Sequence, residues 1–178
     1  MKYFISTINL FIFLLLSTQA CTQNIPDNRA KVQDEDFDEK ISGLINFTVP
    51  TIGVTELHNI QNEVFIFDTR KWEEYEVSHI PGAKYLGYGD FEASRMDDVP
   101  KDAPIVLYCS IGYRSEKIGE KLQALGFTNV SNLYGSIFEW VNHDYKIVDK
   151  YEKPTRKLHT YNRNWSKWVD EKKAEKTW

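Results

Sequence analysis

Ile105-Val106-Leu107-Tyr108-Cys109-Ser110-Ile111-Gly112-Tyr113-Arg114-Ser115 is an apolar run that ends abruptly in a cysteine and a polar loop. Pro104 stands before it, and Tyr113 to Leu125 follows with helical spacing. The apolar run predicts a strand buried on both faces, as parallel strands are. Ile118, Leu122 and Leu125 share one face of the predicted helix, and Gly126 is its stop signal. Cys109 therefore sits at the carboxyl end of a strand, where ligands bind in open parallel sheets. The helix that follows offers unpaired N–H groups and a positive dipole end, which favour a thiolate. Gly112 allows those N–H groups to turn inward as an anion-binding nest, and Arg114 adds a permanent charge for an anionic substrate. A lone cysteine is more often a buried packing residue. Cysteine, glycine, arginine and serine in this order at a strand-to-helix junction point to nucleophilic chemistry instead.

The pattern around this stretch alternates strand with helix. Val64 to Phe67, ending in Asp68, predicts a second buried strand. Lys71–Val77 suits a short helix, Ala83–Leu86 and Asn129–Leu133 further strands, and Gly135–Val141 another helix. Such alternation predicts an α/β fold, a mostly parallel sheet with helices on both faces. Upstream, Phe37, Ile41, Leu44 and Ile45 form the stripe of a short amphipathic helix behind the acidic run Asp34-Glu35-Asp36. Carboxylates at that position suit a helix N-terminus better than a metal site.

Four stretches, in order, resemble the rhodanese-like sulfurtransferases. Cys109-Ser110-Ile111-Gly112-Tyr113-Arg114-Ser115 fits their C-x-x-G-x-R-[ST] loop. Phe67-Asp68-Thr69-Arg70 with Glu73-Glu74-Tyr75, the turn His79-Ile80-Pro81-Gly82-Ala83, and Leu133-Tyr134-Gly135-Ser136 with Trp140 fit the others. The resemblance covers about residues 48–149. It implies a rhodanese-like parallel sheet and a Cys109 that accepts sulfane sulfur as a persulfide. It implies that Ser110, Ile111, Gly112, Tyr113, Arg114 and Ser115 cradle that sulfur, with Arg114 also binding an anionic donor. Asp68 and Arg70 are implied as braces, and His79 as part of a structural turn rather than a base. Ser136 stands where the family has glycine, which strains the backbone if that position needs positive φ. The implied partners are small sulfur-containing anions or persulfides and a thiol acceptor, and no cofactor or metal is required. Two other functions compete. Phosphatases and arsenate reductases of related fold use a longer loop than the four residues between Cys109 and Arg114. A non-catalytic binding module would ordinarily have lost the cysteine.

The ends of the chain carry other signals. Lys2 precedes an apolar run, Tyr3–Leu16, broken only by Ser6, Thr7 and Asn9 and followed by Ser17-Thr18-Gln19-Ala20-Cys21. The run is shorter than the roughly twenty residues of a spanning helix and has the flanks of a secretory signal peptide. The stretch Leu16–Cys21 resembles a bacterial lipoprotein cleavage box, with Thr18 where leucine is usual. That implies lipidation of Cys21, a membrane anchor and a place in the bacterial envelope, in the periplasm or at the outer membrane. Plain cleavage after Ala20 and an uncleaved anchor remain alternatives, and each exports the protein. The expected organisation is a signal peptide over 1–20, a tether and short helix over 21–46, the rhodanese-like domain over 47–149 and a basic aromatic extension over 150–178.

With 178 residues and two cysteines, the chain is one ordinary domain with appendages, and is neither a disulfide scaffold nor a thiolate zinc site. Its net charge of −4 argues against nucleic acid as a partner. That sum conceals an asymmetry. Residues 146–178 hold ten Lys/Arg against five Asp/Glu, a net +5, which leaves −9 elsewhere. Such a tail suits an anionic surface or a protein partner, or a helix near Trp165–Lys176 whose tryptophans pack on the acidic body.

Overall fold

The computed structural model describes residues 25–178. The expected signal peptide and Cys21 lie outside the described residues. Five parallel strands form the central sheet: β1 (Thr51–Ile52), β2 (Phe65–Asp68), β3 (Lys84–Tyr85), β4 (Ile105–Tyr108) and β5 (Val130–Leu133). Their spatial order is β1-β5-β4-β2-β3. The cysteine strand β4 is therefore central, flanked by β2 and β5, with Phe67 beside Leu107 and Asp68 beside Tyr108.

Strand residues alternate between two cores, as the pleat requires. Ile66, Val106 and Tyr108 face one side, where α1 (Glu35–Ser42), α2 (Val54–Ile60) and α5 (Ser136–Asn142) pack. Phe67, Ile105 and Leu107 face the other, beneath α4 (Tyr113–Ala124). The last helix of the domain's catalytic half, α3 (Trp72–Val77), follows β2. Asp34 caps α1 by accepting the Phe37 N–H at 2.8 Å, so the acidic run is a helix start. Among the described residues, no helix is long and apolar enough to cross a membrane.

Three expectations are corrected. Leu125 is 44% exposed rather than part of the core stripe. α4 ends one residue before it, and Gly126 at φ +88° reverses the chain so that Phe127 takes the core position. The N–H groups of Gly126 and Phe127 donate to Gln123 and Leu122 carbonyls, a glycine-terminated helix end. The tether is also fixed within the described residues. Arg29 pairs with Asp38, Val32 is buried, and the Gln33 N–H donates to Glu139 at 2.8 Å.

The third correction concerns the tail. The helix expected at Trp165–Lys176 is only α6 (Arg163–Ser166). Before it come β6 (Ile147–Val148), β7 (Pro154–Thr155) and β8 (Lys157–His159), and after it β9 (Glu175–Thr177), which pairs in parallel with β8. Leu158, Val169 and Ala174 nevertheless enter the first core, and Trp168 stacks on Phe37 with ring centroids 5.2 Å apart. Lys150 pairs with Glu76, and Lys173 with Asp144. The basic tail thus packs on the acidic body, through strands and turns instead of one helix.

Gly119 offers a test of this packing. In an exposed helix, alanine would gain about 1 kcal/mol over glycine. Here a Cβ would lie 2.8 Å from Val49 Cγ2 and 3.1 Å from its Cγ1. Val49 is fully buried and β-branched, so it has little room to yield. Overpacking typically costs about 1–3 kcal/mol, so Gly119→Ala is expected to lower the stability in urea unfolding despite the helix preference.

Candidate active site

Cys109 begins the loop between β4 and α4, and its side chain is buried. Three carbonyls of the loop are fastened on its outer side. Cys109 O accepts the Ile137 N–H and Ser110 O the Phe138 N–H, each at 3.3 Å, from the first turn of α5. Gly112 O accepts Asn132 Nδ2 at 2.9 Å. The same Asn132 accepts Ser115 Oγ at 2.7 Å, so one β5 side chain grips both ends of the loop. With the carbonyls turned away, the N–H groups face the sulfur. The Gly112 N–H donates to Cys109 Sγ at 3.2 Å. Gly112 holds φ +121°, a conformation that a side chain disfavours.

Burial by itself pushes the Cys109 thiol pKa up. The Arg114 charge and the N–H groups of Gly112, Ile111 and Ser115 outweigh it, and hold the thiol below its ordinary value. The site is therefore arranged to keep sulfur anionic in a place without water.

Arg114 is held rigidly. Its Nη1 and Nη2 donate to Glu74 at 2.7 and 2.9 Å, and Nη2 also donates to Ser110 Oγ at 3.0 Å. Glu74 is buried, and also accepts the Lys71 N–H at 3.0 Å, which closes the first turn of α3. Burial opposes ionisation of Glu74, but the Arg114 guanidinium, with Arg70 and the Lys71 N–H, brings its pKa down to about 2. A fork-to-fork pair of this kind is among the stronger polar contacts.

Of the residues expected at the site, Cys109, Ser110, Ile111, Tyr113 and Arg114 line one cavity of about 520 Å³. Gly112 and Ser115 form the loop behind it. Asp68 and Arg70 do not line it. They form a fully buried pair, with Arg70 Nη2 2.7 Å from Asp68 Oδ2 and donating also to the Ser78 carbonyl. Tyr108, just before the nucleophile, receives the Ile80 N–H on its hydroxyl at 3.1 Å, and its ring lies under the Arg70 guanidinium. The pair thus joins the ends of β2 and β4 to the His79 turn. His79 is not in the cavity. Its ring stacks on Tyr75, and its two nitrogens meet Tyr75 O and Glu152 Oε1 at 3.1 and 3.0 Å.

Ser136 does sit at positive φ, +52°. Its hydroxyl accepts the Cys109 N–H at 3.2 Å and donates to Leu133 O at 3.0 Å. The serine thus ties the end of β5 to the nucleophile's own backbone, which a glycine could not do. Sequence reasoning missed Glu74 as the partner of Arg114, Asn132 as the loop anchor, and Tyr161 and Trp165 as cavity walls. The Lys71-x-x-Glu74 spacing was a usable signal for the first, as a helix start.

The family model described as a rhodanese-like domain matches residues 53–143. A sulfurtransferase from Allochromatium vinosum is 35% identical over 86 residues, which are 48% of this chain and 79% of that protein. A tRNA sulfurtransferase from Desulfurococcus amylolyticus is 36% identical over 72 residues, 40% of this chain, but the match spans only 14% of its length. Among solved structures, the rhodanese-like domain of an Anabaena protein superposes with a TM-score of 0.53 at 21% identity, over 56% of this chain and 79% of that one. This last likeness is one of fold.

The Glu74 pKa gives a pH test. A carboxylate depressed from 4.5 to about 2 on folding contributes stability that is complete above pH 4.5 and lost as pH falls toward 2. Urea unfolding between pH 2 and 6 should therefore show a wild-type stability that falls with acid. Glu74→Gln should be less stable at pH 6 and should have a flatter profile.

Proposed function

The chain belongs to the rhodanese-like domain family, and from that membership we propose that it is a sulfurtransferase working through a Cys109 persulfide. The Cys109 thiolate attacks the outer sulfur of a donor such as thiosulfate. The new bond is Cys109 Sγ–S, the donor's own S–S bond breaks, and its electron pair leaves with sulfite. A thiophilic acceptor then attacks the outer sulfur. With cyanide, the products are thiocyanate and the original thiolate. Both steps balance without a proton, an oxidant or a cofactor. The observation that carries this function is the Sγ held among inward N–H groups, with the Gly112 N–H at 3.2 Å. The same groups stabilise the terminal sulfur anion, by fixed dipoles that need no reorganisation. Arg114 adds its charge, Glu74 holds Arg114 in place, and Asp68 and Arg70 brace the strand ends beneath.

The place of action is part of the same proposal. Cleavage before Cys21 and lipidation of its thiol would anchor the chain to a bacterial envelope membrane, with the sulfur donor and a thiol acceptor arriving from that compartment. Cys109 would then be the chain's one free thiol, since the sequence has two cysteines.

After thiosulfate treatment, the wild-type chain should gain the mass of one sulfur atom at Cys109 and turn over with cyanide. Cys109→Ser should do neither, and turnover surviving in that variant would overturn the assignment. A protein with intact Cys109 that gains no sulfur would be a binding module. Fatty-acid labelling of cells expressing the chain should mark wild type and not Cys21→Ala.

A further inference from the structure

The cavity above Cys109 is larger and less polar than a small sulfur oxyanion needs. At about 520 Å³, it lies in the range that encloses an organic molecule of moderate size. Leu44, Tyr88, Tyr161 and Trp165 supply much of its lining. The cation nearest the nucleophile is already engaged. Both terminal nitrogens of Arg114 bind Glu74, and the Tyr161 ring lies 5.4 Å from its guanidinium carbon. A guanidinium paired with a carboxylate presents a weaker field to an incoming dianion than an unpaired one. Exposed Lys71 brings a second cation to the lining.

Tyr161 and Trp165 lie outside the 53–143 family match, and the N–H cradle is complete without them. Tyr161 is held there against its own preference, at φ +66°, which is uncommon for an aromatic residue. The preceding Thr160 is fully buried, and its N–H and hydroxyl both donate to Thr177 O, at 2.7 and 3.1 Å. The Tyr161 N–H donates to His159 Nδ1 at 3.1 Å. The β8–β9 pair therefore fixes an aromatic wall opposite the nucleophile.

We propose that this wall selects the sulfur donor, an organic persulfide or thiosulfonate with an aromatic body that seats against Tyr161, Trp165 and Tyr88. Its anionic end faces Arg114 and Lys71, and its outer sulfur meets Cys109. The proposal rests on the sulfurtransferase function above and names the substrate class of that site. For a thiosulfonate, the Cys109 thiolate bonds to the outer sulfur, and the bond to the sulfonyl sulfur breaks. Its electron pair leaves with the sulfinate, and the Cys109 persulfide anion remains. No proton moves and no further reactant is required.

Benzenethiosulfonate and methanethiosulfonate form the same Cys109 persulfide, which cyanide can discharge in both cases. The ratio of their kcat/KM values on the full chain therefore isolates the donor body. Since a single methylene in an apolar pocket discriminates by about tenfold or more, the aromatic donor should be favoured by at least about that factor. Tyr161→Ala with Trp165→Ala should bring the ratio toward one, whereas Tyr161→Phe should keep it. Calorimetry adds a readout without turnover: benzenesulfinate should bind the wild-type chain at least about tenfold tighter than methanesulfinate. This comparison stands even if the double variant fails to fold. A wild-type ratio near one, equal sulfinate affinities, or an unchanged ratio in a folded double variant overturns the proposal alone. Absence of Cys109 persulfide with every donor, thiosulfate included, overturns the sulfurtransferase function and this proposal with it.

Discussion

The carbonyl oxygens of Cys109, Ser110 and Gly112 must all point away from the sulfur, and much of the structure exists to hold them so. Each would otherwise repel a thiolate. Two are drawn off by the first N–H groups of α5, which have no partners within their own helix. The third is taken by Asn132, a buried amide in the adjacent strand. The site therefore depends on the order of the sheet. β5 lies beside β4, so its asparagine and the helix that follows it reach the loop from behind. Ser136 extends the same arrangement by bridging Leu133 O to the Cys109 N–H.

Charge is managed in the same manner. Glu74 and Arg114 neutralise each other within the loop's surroundings, and Asp68 and Arg70 do so beneath it. Burying an isolated charge would be far more costly than burying either pair. The inward N–H dipoles can then favour an anion at Sγ without a large unbalanced field around it. The cradle and its supports come from β2, α3, β4, α4, β5 and α5, the region where the sequence resembles other proteins.

The parts of this site that are contiguous in sequence were legible in it. β4, the loop and α4 follow one another, and each announces itself by apolar run, glycine or helical spacing. The Arg114–Glu74 pair joins residues forty positions apart, and no local pattern specifies it. Leu125 misled because its spacing fits the α4 stripe, while Gly126 ends the helix and brings Phe127 inward. The tail misled for a different reason. Trp165 and Trp168 have helical spacing, yet Trp168 is placed by stacking on Phe37 in α1. The β8–β9 ladder pairs segments that lack a strong apolar alternation. Residues 25–33 read as polar tether, but one ion pair and one buried valine are enough to fix them.

The Tyr161 turn is fastened to Thr177, at the end of β9. The nucleophile's surroundings are consequently tied to the chain's most downstream hydrogen bonds. A protease that trims these residues, or a protein that captures them as an added strand, would act on access to Cys109 without touching the cradle. The extension would then work as a latch, set by events at the surface and felt at a buried sulfur.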